Sequence, residues 1–248
     1  MKILSIGNSF SIDAHRYLKR LAEAAGIDLT TANLYIGGCS LDRHFRNAMD
    51  DRNAYALDFN GDAVPGLLVS IKQALLWDNW DYITLQQASH YSAHFETYEP
   101  YLSTLAAYVR QYCPKAKLVI HQTWAYEADS DRLKNVAKYE TPEKMLADVV
   151  HAYDLASKAI DAYGIIPSGE AMLEVLRRGI KKIHRDTFHA DFHIGRALLS
   201  ELWLTSLTGL DLRKVELPAI CGVTDEAEKN IICEVAYDLA KKYGWIKA

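Results

Sequence analysis

Several features that would assign this chain quickly are missing from it. Its four cysteines, Cys39, Cys113, Cys221 and Cys233, are scattered through 248 residues without a CxxC pair. That excludes a dense disulfide framework and a cysteine-rich zinc site, and leaves free thiols as the expectation. Only 6 prolines and 13 glycines occur, and nowhere do they gather into a linker, so one domain covering 1–248 is expected. No apolar run approaches the ~20 residues that span a bilayer, so no membrane partner is expected. A basic segment leading into a signal-peptide core is also lacking, since MKILSIG already has the pattern of a strand. The expectation is a cytoplasmic protein, although a trimmed leader would leave the same sequence. Positive charge is not in excess either. The net charge of -4 is made of dispersed signs, which gives no reason to expect nucleic acid. The one basic run, Arg177 to Arg185, reads as a solvated helix end and loop.

What is present is alternation. Short apolar runs at Lys2–Ile6, Leu29–Ile36, Tyr82–Leu85, Leu118–His121 and Ile165–Ile166 have strand character. Between and after them lie helix-like stretches at Asp13–Ala25, Leu67–Leu76, Tyr98–Tyr112, Glu143–Tyr163, Phe192–Leu207 and Asp225–Tyr243. Thr141-Pro142 and Thr224 are the expected starts of the fourth and the last helix. This is the pattern of an α/β protein, a parallel sheet covered by helices on both faces. Residues Asn53–Pro65 fit neither period and are expected to form a small hairpin or an irregular excursion.

Ligands of parallel sheets collect beyond the carboxyl ends of the strands, and the unusual residues lie there. Gly7-Asn8-Ser9 follows the first strand, Gly37-Gly38-Cys39-Ser40 the second, Gln86-Gln87 the third and Gln122-Thr123-Trp124 the fourth. The segment RDTFHADFH lies beyond the fifth. Ser9 has two readings: a cap for the next helix, or a nucleophile whose developing oxyanion is met by a backbone N–H and a helix start. The α/β-hydrolase elbow is excluded, because GNSFS lacks the second glycine of G-x-S-x-G. Asp186 and His189 stand three apart before a helix, so one tight turn brings carboxylate to imidazole and makes His189 a candidate base. A metal is the rival chemistry. His184, Asp186, His189, Asp191 and His193 are a dense set of ligand types, and His189/His193 have an i, i+4 spacing. The glutamate of H-E-x-x-H is absent, and His193 is expected on a helix face.

Taken in succession, these motifs resemble the SGNH (GDSL-type) hydrolase superfamily. LQQASH and DTFHADFHIGRALLSELWLTSLTG resemble its Bacteroides-type subgroup catalogued as a domain of unknown function. The resemblance covers essentially the whole chain. It implies a three-layer α/β/α, flavodoxin-like sandwich with strand order 2-1-3-4-5. It also implies Ser9 as nucleophile, His189 as base and Asp186 as its orienting acid. The implied oxyanion hole uses the N–H groups of Ser9 and Gly38 and an amide from the third-strand loop. Two departures stand out: G-N-S replaces G-D-S, and the G-x-N-D block is absent, leaving Gln86 or Gln87, with Gln87 favoured, as the amide donor.

The activity so implied is a serine esterase acting on a small-molecule or carbohydrate ester, O-acetyl foremost, with no cofactor and no metal. Asn8, Trp124, Tyr126 and Tyr91 are the candidate substrate contacts, the aromatics as a flat wall for a sugar face. The rivals are a metal-dependent hydrolase built on residues 184–193 and a non-catalytic flavodoxin-like module that holds a phosphate or nucleotide at Asn8 and Ser9.

Overall fold

The computed structural model describes residues 1–214 and 221–247. Seven strands form one sheet: β1 (Lys2–Gly7), β2 (Thr30–Tyr35), β3 (Tyr55–Phe59), β4 (Asp62–Val69), β5 (Tyr82–Leu85), β6 (Lys117–His121) and β7 (Gly164–Ile166). Their order is β4-β3-β2-β1-β5-β6-β7. The five strands β2, β1, β5, β6 and β7 run parallel and stand in the expected 2-1-3-4-5 order. Of the two readings of residues 53–65, the hairpin holds and the irregular excursion does not, and the hairpin is part of the sheet. Antiparallel β3 and β4 extend it beyond β2, joined at Asn60-Gly61, both at positive φ (52° and 86°). Asn-Gly is the pair that a tight, right-twisted hairpin turn demands, and that signal was legible in the chain.

The alternation of β1 divides the core. Leu4 and Ile6 face one apolar cluster and Ile3 the other, as a strand's two-residue period requires. The first cluster is covered by α3 (Leu41–Met49), α4 (Ile71–Trp77), α5 (Tyr101–Tyr112) and α6 (Pro142–Ala159). The second is covered by α1 (Ser9–His15), α2 (Leu18–Ala24), α7 (Ser168–Arg177), α8 (Ile194–Thr208) and α9 (Glu226–Lys242). Helix, sheet and helix make three layers. Helix α8 is buried along nearly its whole length, which explains why its sequence is apolar all round rather than striped.

Several boundaries differ from the sequence reading. The first expected helix begins at Ser9 rather than Asp13 and is broken into α1 and α2. The helix expected from Leu67 begins at Ile71, because Ser70 caps it in a box with Gln73 while Leu67 and Leu68 belong to β4. Asp225, not Thr224, caps α9 by accepting from the N–H groups of Ala227 and Glu228. No helix among the described residues is long and apolar enough to cross a membrane.

Candidate active site

The sheet's carboxyl edge sets Ser9 at the first position of α1. Capping falls to its neighbour: Asn8 Oδ1 accepts from Phe10 N–H, and Ser11 Oγ reaches back to the Asn8 N–H. With Asn8 as the cap, the Ser9 hydroxyl is released from that duty. Gly7 makes this possible by having no side chain. A Cβ there would lie 2.2 Å from Ser11 Oγ and 3.1 Å from Gln86 Oε1. The Ser9 and Gly38 N–H groups have no partner among the described residues, and Gly38 holds φ +60°, where an L side chain is strained.

Across the cleft, a short loop carries the imidazole. An isolated bridge joins His184 to Ala190, and Arg185 N–H donates to His189 O at 3.1 Å. The turn between runs through Thr187 at φ 73°, unusual for a β-branched residue. Asp186 Oδ1 accepts the His189 N–H at 2.9 Å, and Oδ2 lies 2.7 Å from His189 Nδ1. His189 Nε2 is 2.8 Å from Ser9 Oγ. Serine, histidine and aspartate thus form one continuous hydrogen-bonded chain. Burial pushes the Asp186 carboxyl up, but the bonds from the His189 ring and backbone outweigh it and hold the carboxyl below its ordinary value. The ionised carboxylate in turn fixes Nδ1 as the protonated nitrogen, leaving Nε2 free to accept the serine proton.

The serine and histidine face a cleft of about 430 Å³, lined by Asn8, Ser9, Phe10, Tyr35, Gly38, Ser89, His90, Arg132, Phe188 and His189 among others. Larger hollows elsewhere, such as the 460 Å³ one beside Met172 and Leu173, do not contain Ser9.

Six side chains are placed differently from the sequence reading. Gln87 does not line the cleft: its oxygen accepts from Leu41 and Ala88 N–H, and its nitrogen donates to Thr97. Gln86 is likewise held, with its nitrogen on Asn8 Oδ1 and its oxygen on His121 Nδ1. Trp124 is fully buried, stacked on Phe10 at 4.0 Å and donating to Phe188 O, so it supports the site from below. Tyr126 is buried and paired with Ser89 Oγ, while Tyr91 is exposed outside the cleft. The Asn8 side chain is also spent internally, its nitrogen donating to Cys39 O, so only the position of Asn8 in the wall remains from its expected contact role.

The profile of the family described as Domain of unknown function (DUF4886) matches residues 2–238. The chain belongs to that family. A DUF4886 family protein from Bacteroides uniformis superposes with a TM-score of 0.89 at 33% identity, covering 96% of this chain and 93% of that one. Its fold is shared more distantly with a protein from Slackia heliotrinireducens described as an SGNH hydrolase (TM-score 0.58, 22% identity, 81% and 95% covered). It is shared also with a variant of an acetyl xylan esterase from Geobacillus stearothermophilus (TM-score 0.52, 14% identity, 82% and 92% covered). A search of curated proteins finds no match.

In this DUF4886 protein, the histidines proposed as metal ligands diverge. His184 is buried, and burial lowers it to about 4; His193 starts α8 with Nδ1 3.2 Å from Cys221 O. Asp191 caps α8 through the N–H groups of His193 and Gly195. Among the described residues, no three His, Cys, Asp or Glu are placed to hold a metal.

Sequence reasoning missed Tyr35, Ser89, His90, Arg132 and Phe188 in the cleft wall. It also missed Asp13, which is fully buried one turn after Ser9. Asp13 accepts from Arg185 Nη1 at 2.9 Å through both oxygens and from Arg196 Nε at 2.9 Å. These bonds tie the serine helix to the histidine loop and to α8.

Proposed function

We propose that this DUF4886 protein is a serine esterase that removes small acyl groups, acetyl foremost, from a carbohydrate. The observation that carries the reading is the unbroken Ser9–His189–Asp186 chain, 2.8 and 2.7 Å, opening on a cleft. His189 Nε2 takes the Ser9 proton as Oγ attacks the acyl carbon. The oxyanion that forms is met by the N–H groups of Ser9 and Gly38. Collapse breaks the acyl–oxygen bond, and the departing alcohol takes its proton from His189. A water then gives a proton to His189 and attacks the acyl-enzyme, releasing the acid and restoring Ser9. Asp186 stays ionised and stabilises the imidazolium.

Two features support a small acyl group on a sugar. The cleft has the volume of a small ligand site rather than a lipid channel. Tyr35 and Phe188 supply aromatic surface in place of Trp124 and Tyr126. An acetyl xylan esterase among the fold neighbours agrees with this.

The test is hydrolysis of 4-nitrophenyl acetate and a series of acetylated sugars by wild type and Ser9→Ala. Loss of about 10³-fold or more in kcat is expected for the variant. A variant that keeps wild-type turnover ends the assignment.

A further inference from the structure

The cleft wall contains no aspartate or glutamate, yet it contains two arginines. Arg185 is neutralised by Asp13. Arg132 is different: it forms no ion pair among the described residues, and its guanidinium lies 3.8 Å from the centre of the Phe188 ring. Phe188 in turn packs on the His189 imidazole, ring centres 3.9 Å apart. The Arg132 backbone is fixed by a π-type turn, residues Arg132–Val136, in which Ala137 N–H donates to Arg132 O at 2.8 Å. Such single turns are rare and gather at functional sites. The nearest acid in sequence, Asp131, is engaged by Asn135 Nδ2.

We propose that Arg132 recognises an anionic oxygen group, carboxylate or phosphate, on the alcohol part of the substrate. The proposal rests on the esterase reading. A guanidinium carbon 3.8 Å from an aromatic ring centre, with its side chain also bonded to the Tyr126 hydroxyl, still has N–H groups to offer, and a pair of them matches two oxygens of one anion. Its side of the cleft fixes which part of the ester it meets. The leaving alcohol must sit at His189 Nε2 to receive a proton, and Phe188 and then Arg132 extend from that imidazole. The acyl carbonyl is met by the N–H groups of Ser9 and Gly38. The substrate class is therefore an acylated acidic sugar or sugar phosphate rather than a neutral one.

The test measures competition against 4-nitrophenyl acetate by glucuronate, glucose 6-phosphate and glucose, together with kcat/KM for acetylated glucuronate and its neutral methyl ester. Wild type should favour the acid over its methyl ester by about two- to fivefold, the scale of an exposed charged pair. The anionic competitors should inhibit more strongly than glucose. Whichever of glucuronate and glucose 6-phosphate binds better identifies the group. Arg132→Gln should bring the acid-to-ester ratio close to one, and Arg132→Glu should invert it. The ratio separates recognition from any general disturbance of the Phe188–His189 stack, which would slow both substrates alike. Equal inhibition by all three sugars, or a preference that survives Arg132→Gln, overturns the proposal. Ser9-independent turnover overturns the esterase reading instead.

Discussion

Replacing Asp13 by Asn should cost this protein both stability and activity. The carboxylate is fully buried and accepts from two guanidiniums whose side chains are 21% and 14% exposed. Burial pushes the Asp13 carboxyl up, and Arg185 and Arg196 pull against that rise. Removing one partner of a buried ion pair typically costs about 3–5 kcal/mol, because the remaining charge is left uncompensated. Asparagine still accepts one bond and both arginines reach some water, so the low end, about 3 kcal/mol, is expected. Urea unfolding of wild type and variant measures it. A catalytic loss should accompany it, because Asp13 follows Ser9 by one helical turn and Arg185 precedes Asp186. A shift of about 1 Å between serine and imidazole costs roughly 100-fold in rate. The loss should appear in kcat for 4-nitrophenyl acetate and far less in KM, marking Asp13 as a positioning residue. In a double-mutant cycle, Asp13→Asn with Arg196→Gln should cost less than the two single changes together. A stability loss under about 1 kcal/mol with kcat within twofold of wild type would refute the argument.

Glu201 offers a pH test. Burial raises its carboxyl from 4.5 to about 8, and its Oε2 has no partner among the described residues. Folded protein holds this proton where unfolded chain has lost it, so the contribution is complete below about pH 4.5 and is lost as pH rises to about 8. At pH 7 the loss is about 3 kcal/mol, at 1.36 kcal/mol per unit. Glu201→Gln should therefore gain on wild type in urea unfolding as pH rises over that window, and parallel stability–pH curves would contradict it. Gln87→Ala should lower stability by about 1–3 kcal/mol through the buried N–H groups it strands, with kcat changed by less than about threefold. A large kcat loss at unchanged melting temperature would return Gln87 to the oxyanion site.

Much of the fold was legible because periodicity is local. Runs such as Ile3 to Ile6 and Leu118 to Ile120 declare buried parallel strands, and the switch-point rule then places Ser9 and the Asp186–His189 turn on one rim. The β3–β4 hairpin was legible in part, since Asn60-Gly61 marks it, but its sparse alternation hid the strands on either side. Side-chain direction was not legible. Adjacent Gln86 and Gln87 differ by one step of strand register, and each has its amide taken by partners such as His121 and Thr97 that lie far off in sequence.

By itself the sequence determined the layered α/β plan and the residue types at the strand ends, since both follow from hydrophobic period and turn chemistry within a few residues. Only the tertiary structure decided that Asn8 would cap α1 in place of Ser9 and that Trp124 would be core rather than wall. It alone decided that Asp13 would meet Arg185 and Arg196. Those outcomes depend on which distant groups compete for the same buried space and the same hydrogen bonds, and no local pattern encodes that competition.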